Sequence, residues 1–337
     1  MNKKEEPILV AIHCLVYNHE PYLRDCFEGF VMQKTNFRFV AIVHDDVSTD
    51  ASAAIIREYA EKYPDIFRPI YETENQWSKT DGSLTRIMGE AIDATGAKYI
   101  ALCEGDDYWT DPMKLQKQVD YMESHPDVGL CYTDYNQQYD CNLHIIHSMF
   151  ENQHKYRPVT YEQHLLKPGY LAPMTWVYRR ELSDLISKAE VASDGTYAYM
   201  LEFMHNSKVA YIPEETATYR AHDGSATTPV NMNGLFNYVN GVFKTQRRYA
   251  DKYPCPDNLK NKIMIRGYLD VLPIAVMVDK DDFVNEAQRY MNSQGIEIDL
   301  IIRHLKESEM RRRSKAYRLG RVLLKPFVKL KEFIKRK

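Results

Sequence analysis

Apolar residues in this chain fall in short runs separated by turn residues, and the runs alternate between two periods. Ile8 to Leu15 is an unbroken β-rich stretch, the pattern of a strand covered on both faces. Tyr22, Leu23, Cys26, Phe27, Phe30 and Val31 then recur at helical spacing, predicting a helix to about Gln33. The alternation continues with a strand over 37–44 and a helix through Ile55, Ile56, Tyr59 and Ala60, for which Ser48 and Asp50 are capping candidates. A strand over 67–71, a helix over 83–94 and a strand over 99–103 follow. A helix opening at Asp111-Pro112 and running through Leu115, Val119 and Met122 leads to a strand over 128–132. Strands and helices alternating at this spacing predict right-handed βαβ units and a parallel sheet.

The pattern then weakens. Residues 134–155 are polar and Tyr-, Asn- and Gln-rich, and read as a hairpin and loop at a site mouth. A short helix over 160–166, a strand over 174–178 and a helix over 181–188 come next. Ser193-Asp194-Gly195 opens a helix, and strand pieces at 209–212 and 217–219 follow. Thr227-Thr228-Pro229 reads as a domain boundary. Helical periodicity at about 232–251, 258–278, 281–293 and 297–310 predicts an α-helical appendage. The expected organisation is therefore 1–228, 229–310 and a distinct terminal segment, 311–337.

Charge sets that last segment apart. The chain carries a net −3, but twelve Lys and Arg against Glu332 give residues 311–337 a net +11, leaving −14 on the rest. Ala316, Leu319, Val322, Leu323, Phe327, Leu330 and Ile334 recur between the charges, as in an interfacial amphipathic helix facing an anionic membrane surface. A packed terminal helix is the alternative, and nucleic acid is not an expected partner. Hydrophobic residues at 44% and charged residues at 27% are ordinary for a soluble protein. Six cysteines without a CxxC pair suit reduced, buried thiols. No run reaches about 18 apolar residues, and the N-terminal run is too short and interrupted for a signal peptide. The expected location is cytoplasmic, peripheral on the inner face of the cell membrane.

Candidate chemistry sits at the strand ends. The run Tyr99–Cys103 ends in Glu104-Gly105-Asp106-Asp107-Tyr108-Trp109, and ligands of open parallel sheets bind beyond the carboxyl ends of strands. Two carboxylates there suit a divalent cation that in turn holds a diphosphate, although a solvated acidic turn would carry the same dipeptide. Asp46, after the second strand, suits a base N–H, and Tyr17, after the first, suits a base face. A turn acid and a core-edge aromatic are the plainer alternatives. Neither GxGxxG nor GxxxxGK[ST] occurs, which disfavours dinucleotide and P-loop enzymes.

Three blocks taken in order carry a resemblance: Val16-Tyr17-Asn18-His19-Glu20, then Val43-His44-Asp45-Asp46-Val47-Ser48-Thr49-Asp50, then Glu104-Gly105-Asp106-Asp107-Tyr108-Trp109. Over about residues 7 to 225 the chain resembles glycosyltransferase family 2, in its bacterial surface-polysaccharide branch. The resemblance implies the GT-A fold, a Rossmann-like α/β architecture with a mixed, mainly parallel sheet and helices on both faces. It implies a UDP-sugar donor, a saccharide or lipid-linked acceptor, and Mn2+ or Mg2+. Carried over by position, Asp46 binds the uracil edge, Tyr17 lines the nucleoside pocket, and Asp106-Asp107 stand at the DXD motif. Asp107 is then the metal ligand and Asp106 lies near ribose or metal, although Gly-Asp-Asp in place of Asp-x-Asp leaves open which carboxylate binds directly. Asp194 corresponds to the general base. Val47 replaces a usual Gly, a change expected to narrow the turn and be tolerated.

Other candidates come from chemistry alone. His222 is placed to complete the metal shell, and Arg220 beside it favours phosphate. Lys79 and Arg86 are nucleotide-contact candidates, Trp176 is an acceptor-sugar platform, and Trp109 belongs to the core. His144 and His147 lack a third ligand and are assigned no metal. The reading is an inverting, metal-dependent sugar transferase. Its rivals are a sugar-phosphate nucleotidyltransferase, disfavoured because no Gly-rich phosphate loop follows Leu15, and a non-catalytic membrane-surface scaffold.

Overall fold

The computed structural model describes residues 6–139, 144–193, 195–222 and 231–313. The chain divides into two compact units, Met1–Thr228 and Pro229–Lys337. In the first, the elements are β1 (Ile8–Val16), α1 (Leu23–Val31), β2 (Arg38–Asp45), α2 (Ser52–Lys62), β3 (Phe67–Tyr71), α3 (Ser83–Asp93), β4 (Tyr99–Leu102), β5 (Tyr108–Trp109), α4 (Lys114–Ser124) and β6 (Val128–Tyr139). β7 (His144–Ile146), α5 (Tyr161–Leu166), β8 (Val177–Arg179), α6 (Ser183–Ser187), α7 (Gly195–Asn206) and β9 (Lys208–Ala221) complete it.

The sheet runs in the order β3-β2-β1-β4-β8-β6-β9-β5, with β7 added alongside β6. The first four strands are parallel, as the alternating pattern predicts. β8 then runs antiparallel to β4 and to β6, β9 parallel to β6, and β5 antiparallel to β9, so the sheet is mixed. Val10, Ala11, Ile12, Cys14 and Val16 of β1 are all shielded from solvent, which is why that strand reads as one apolar run. α1 buries Leu23, Cys26, Phe27 and Phe30, with the Leu and Phe side chains each stabilising by about 1.5–3 kcal/mol. Gly29 lets α1 lie against β5, since a Cβ there would stand 2.9 Å from the Trp109 amide nitrogen.

Two elements exceed their predicted length for identifiable reasons. β6 runs on through the polar stretch to Tyr139, because β9 pairs one edge and β7 the other. The buried Asp134 carboxylate accepts from the amides of Tyr135 (2.8 Å), Phe150 (2.9 Å) and Glu151 (3.1 Å) and from Ser148 Oγ (2.8 Å). Those bonds satisfy a buried polar group and pin the segment after β7 onto the strand. β9 is one strand, not two pieces. Ile212 pairs with Thr133 and Glu215 with Asp134, so Pro213 and Glu214 are taken up in a bulge. β5 is only two residues long and shows no periodicity of its own.

Lys114, at the start of α4, is fully buried, with Nζ donating to Gln118 Oε1 (2.7 Å) and lying 4.5 Å from the centre of the Trp109 ring. Burial pushes its amine down to about 7. Between that pH and the ordinary amine value the unfolded chain holds the extra proton, so wild-type stability rises with pH across the window. Lys114→Met is expected to stabilise by about 2 kcal/mol at pH 7, with its advantage shrinking by pH 9, measured by urea unfolding at both pH values.

The second unit contains α8 (Met232–Lys252), α9 (Asp257–Met277), α10 (Asp281–Ser293) and α11 (Asp299–Arg313), close to the four predicted helices. Its own core gathers Phe243, Tyr268, Val271, Leu272, Ala287 and Met291. Among the described residues, no helix is long and apolar enough to cross a membrane. Residues 314–337, most of the basic segment, lie outside the described residues.

Candidate active site

The loops after β1 and β2 are cross-stitched by the residues of the first two sequence blocks. The amides of Asn18, His19 and Glu20 donate to Ser48 Oγ (2.9 Å), Ser52 Oγ (2.9 Å) and Asp50 Oδ2 (3.0 Å). In return Asn18 Oδ1 accepts from the Thr49 amide (2.7 Å) and Glu20 Oε2 from the Ala51 amide (3.1 Å). Asp50 Oδ1 accepts from the Ser52 amide (2.9 Å) at the start of α2, whereas Ser48 serves the other loop rather than a helix cap. Within this stitched turn Val47 has φ 64°, a left-handed conformation that a β-branched residue adopts only under strain. The substitution for Gly therefore strains the turn rather than merely narrowing it. Val47→Gly is expected to stabilise by about 1 kcal/mol, read from the urea midpoint.

Both flanking loops are tied to the end of β1. The Asp46 amide donates to the Val16 carbonyl (3.0 Å) and the Gly105 amide to the Leu15 carbonyl (3.0 Å). On the first side, Tyr17 is 49% exposed and Asp46 is buried. The Asp46 carboxylate accepts from the amides of Gln76 (2.6 Å) and Trp77 (3.0 Å), so both of its oxygens hold the turn that follows β3. That engagement differs from the base-edge contact expected of it. Lys79, in the same turn, is paired with Glu74 Oε2 (3.0 Å) and Gln76 Oε1 (3.1 Å). Arg86 is exposed and pairs with Glu90 one helical turn on.

On the second side, pairing of β5 with β9 brings the acidic pair to the end of β9. Asp107 turns inward, where Oδ1 accepts from the Arg220 amide (2.8 Å). Asp106 Oδ2 faces His222 Nε2 at 3.1 Å and His19 Nε2 at 4.0 Å. It is thus Asp106, not Asp107, that stands beside His222. Burial and the adjacent Asp106 charge push the Asp107 carboxyl well up. Burial alone would raise Asp106 as well, but the His222 hydrogen bond and the charges of His19 and His222 hold it below the ordinary value. Tyr22 packs on the His222 ring, with centroids 4.8 Å apart.

Arg220 is engaged within the protein. Its guanidinium donates to the Asp106 carbonyl (3.0 Å), pairs with Asp25, and lies against the Tyr108 ring (4.4 Å), clamping the acidic loop to α1. His19 is a site residue that sequence reasoning missed. Its ring packs on Gly105, where a Cβ would come within 2.8 Å of Nδ1, and Nδ1 is buried without a hydrogen-bond partner. The signal was its position inside the first block, beside Tyr17 and Asn18. Trp176 is a correction. It is fully buried, and its Nε1 donates to the Leu171 carbonyl (2.8 Å), so it cannot receive a sugar. Trp109 is likewise buried, with Nε1 on the Met174 carbonyl (2.9 Å). His147 is exposed and lies 3.6 Å from Glu215. Asp194 lies outside the described residues, which resume at Gly195.

The description Glycosyl transferase family 2 matches residues 12–186, more than half of the chain and all three blocks. The chain belongs to glycosyl transferase family 2. An uncharacterized protein of Mycobacterium tuberculosis is 34% identical over 218 residues, covering 63% of this chain and 59% of the relative. The chain thus matches less than two thirds of that relative's length. The uncharacterized glycosyltransferase EpsJ of Bacillus subtilis is 25% identical over 278 residues, covering 78% of this chain and 77% of EpsJ. Among solved structures, S. aureus TarS 1–349 in complex with UDP-GlcNAc superposes with a TM-score of 0.60 at 14% identity, over 93% of this chain and 92% of that one. The mannosyltransferase PcManGT from Pyrobaculum calidifontis, in complex with GDP-Man and Mn2+, gives 0.55 at 15% identity, over 94% and 84%. With the family 2 match, these likenesses establish the GT-A fold.

Family 2 membership raises the question of a divalent cation. Among the described residues, no group of three or more His, Cys, Asp or Glu is arranged to hold a metal unaided. The pair of the Asp106 carboxylate and the His222 imidazole, 3.1 Å apart, nonetheless fits one, because a carboxylate and an imidazole suit Mn2+. The remaining ligands would come from water and diphosphate oxygens.

Proposed function

We propose that this chain is an inverting glycosyltransferase moving a sugar from a nucleotide-diphospho-sugar, with UDP as the carrier, to a hydroxyl of a saccharide or lipid-linked acceptor in surface polysaccharide synthesis. The observation that supports it most is the Asp106–His222 pair, set on the same β1 rim as Tyr17 and Asp46. Asp106 and His222 would hold Mn2+ or Mg2+, whose chemistry when bound would be to stabilise negative charge on a leaving diphosphate. Arg220 fixes the backbone of Asp106 so that its carboxylate meets the donor already oriented.

The acceptor oxygen bonds to the anomeric carbon as the bond from that carbon to the diphosphate oxygen breaks, inverting the configuration. The hydroxyl proton passes to the carboxylate of Asp194, in the role that the resemblance gives it. The basic segment 311–337 would hold the enzyme at an anionic membrane surface, where a lipid-linked acceptor resides.

The test is release of nucleoside diphosphate across a panel of UDP- and GDP-sugars, with Mn2+, with Mg2+ and with chelator. Metal-dependent release from a UDP-sugar is expected. A chain that binds no nucleotide sugar, or that releases pyrophosphate instead, would reject the reading in favour of a scaffold or a nucleotidyltransferase.

A further inference from the structure

The turn after β3 is built more rigidly than a surface connection needs to be. The buried Asp46 spends both carboxylate oxygens on the amides of Gln76 and Trp77, and its carbonyl accepts from Asn75 Nδ2 (3.2 Å). Asn75 Oδ1 accepts from the Ser78 amide (2.8 Å), and Gln76 Nε2 donates to Glu72 Oε2 (3.1 Å) and to the Glu74 carbonyl (2.9 Å). What this brace presents to solvent is the side chain of Trp77, 70% exposed. The other two tryptophans, Trp109 and Trp176, are buried and hydrogen-bonded in the core. An indole this exposed adds little to folding, so its display on backbone whose amide a buried carboxylate holds points to a ligand.

We infer that Trp77 is the stacking platform for the base of the donor nucleotide. The inference rests on the donor-site reading above and adds a residue to it. Tyr17 and Trp77 are the two exposed aromatics on backbone fastened to Asp46. Tyr17 follows Val16, whose carbonyl takes the Asp46 amide, and Trp77 bonds Asp46 through its own amide. A planar base binds by its face to such rings, whichever base it is. Asp46 then contributes by fixing the platform, which accounts for oxygens turned to backbone amides. A sugar acceptor could also use an indole, but Asp46 bonds the Trp77 amide on one side and the Val16 carbonyl, next to Tyr17, on the other, which favours the nucleoside end of the donor.

Because Trp77 is the exposed tryptophan of three, acrylamide quenching of intrinsic fluorescence reports it selectively. In the full chain with Mn2+, saturating UDP is expected to cut the quenching slope at least by about half, whereas inorganic pyrophosphate leaves it unchanged. Trp77→Ala is expected to raise the UDP Kd about ten-fold by calorimetry, and Trp77→Phe to recover most of that loss. Calorimetric UDP binding without fluorescence protection, or Trp77→Ala within about two-fold of wild type, would overturn the inference and leave the donor-site reading standing. Protection by pyrophosphate, or by an acceptor oligosaccharide in place of UDP, would also overturn it. Absence of any UDP or GDP binding would overturn the donor-site reading and this inference with it.

Discussion

Asp106→Asn is expected to lower sugar transfer by about 10³-fold while leaving the fold intact. The variant keeps the side-chain volume and the backbone carbonyl that Arg220 grips, so stability should change little. What it loses is the carboxylate oxygen that faces His222. Asp107→Asn provides the contrast. Its carboxyl is buried on the Arg220 amide, so that change should act mainly on stability, by about 1–3 kcal/mol, and less on the metal requirement. Steady-state rates over a Mn2+ series, together with urea unfolding, separate the two. Equal losses of metal dependence in both variants would return the ligand role to Asp107.

The second large effect is expected at Asp194. Asp194→Asn should cost about 10²–10⁴-fold in turnover with UDP affinity within about two-fold of wild type, since a general base acts on the acceptor proton and not on the donor. Calorimetry with UDP and single-turnover rates would separate these quantities. Turnover at the wild-type level would remove Asp194 from the mechanism.

What could be read from the sequence follows from how much of each element's environment lies on the element itself. β1, β2 and β4 are covered on both faces, so burial is written into them as continuous apolar runs, and their ends locate the blocks that carry chemistry. The polar half of β6 was not readable as strand, because its order comes from pairing on two edges and from a buried Asp134 whose donors are contributed by residues 135–151. Depth was equally hidden. Trp176 has the chemistry of a sugar platform, but a short turn at Pro173–Thr175 buries it and turns its N–H onto the Leu171 carbonyl.

The site shows the same division. The acids were visible as residue types at strand ends, whereas their directions were not. That Asp106 rather than Asp107 meets His222 depends on β5 pairing with β9, between segments more than 100 residues apart. That Asp46 grips the Gln76–Trp77 turn is likewise a contact between loops. No local pattern encodes either one.

Calorimetric titration of the full chain with UDP, in Mn2+ and in chelator, for wild type and Asp106→Asn, probes the central claim most directly. Wild type should bind UDP at least about ten-fold more tightly with Mn2+, and the variant should show no such gain. UDP binding indifferent to the cation in wild type, or a full Mn2+ gain surviving in Asp106→Asn, would contradict a cation-dependent diphosphate site at the Asp106–His222 pair.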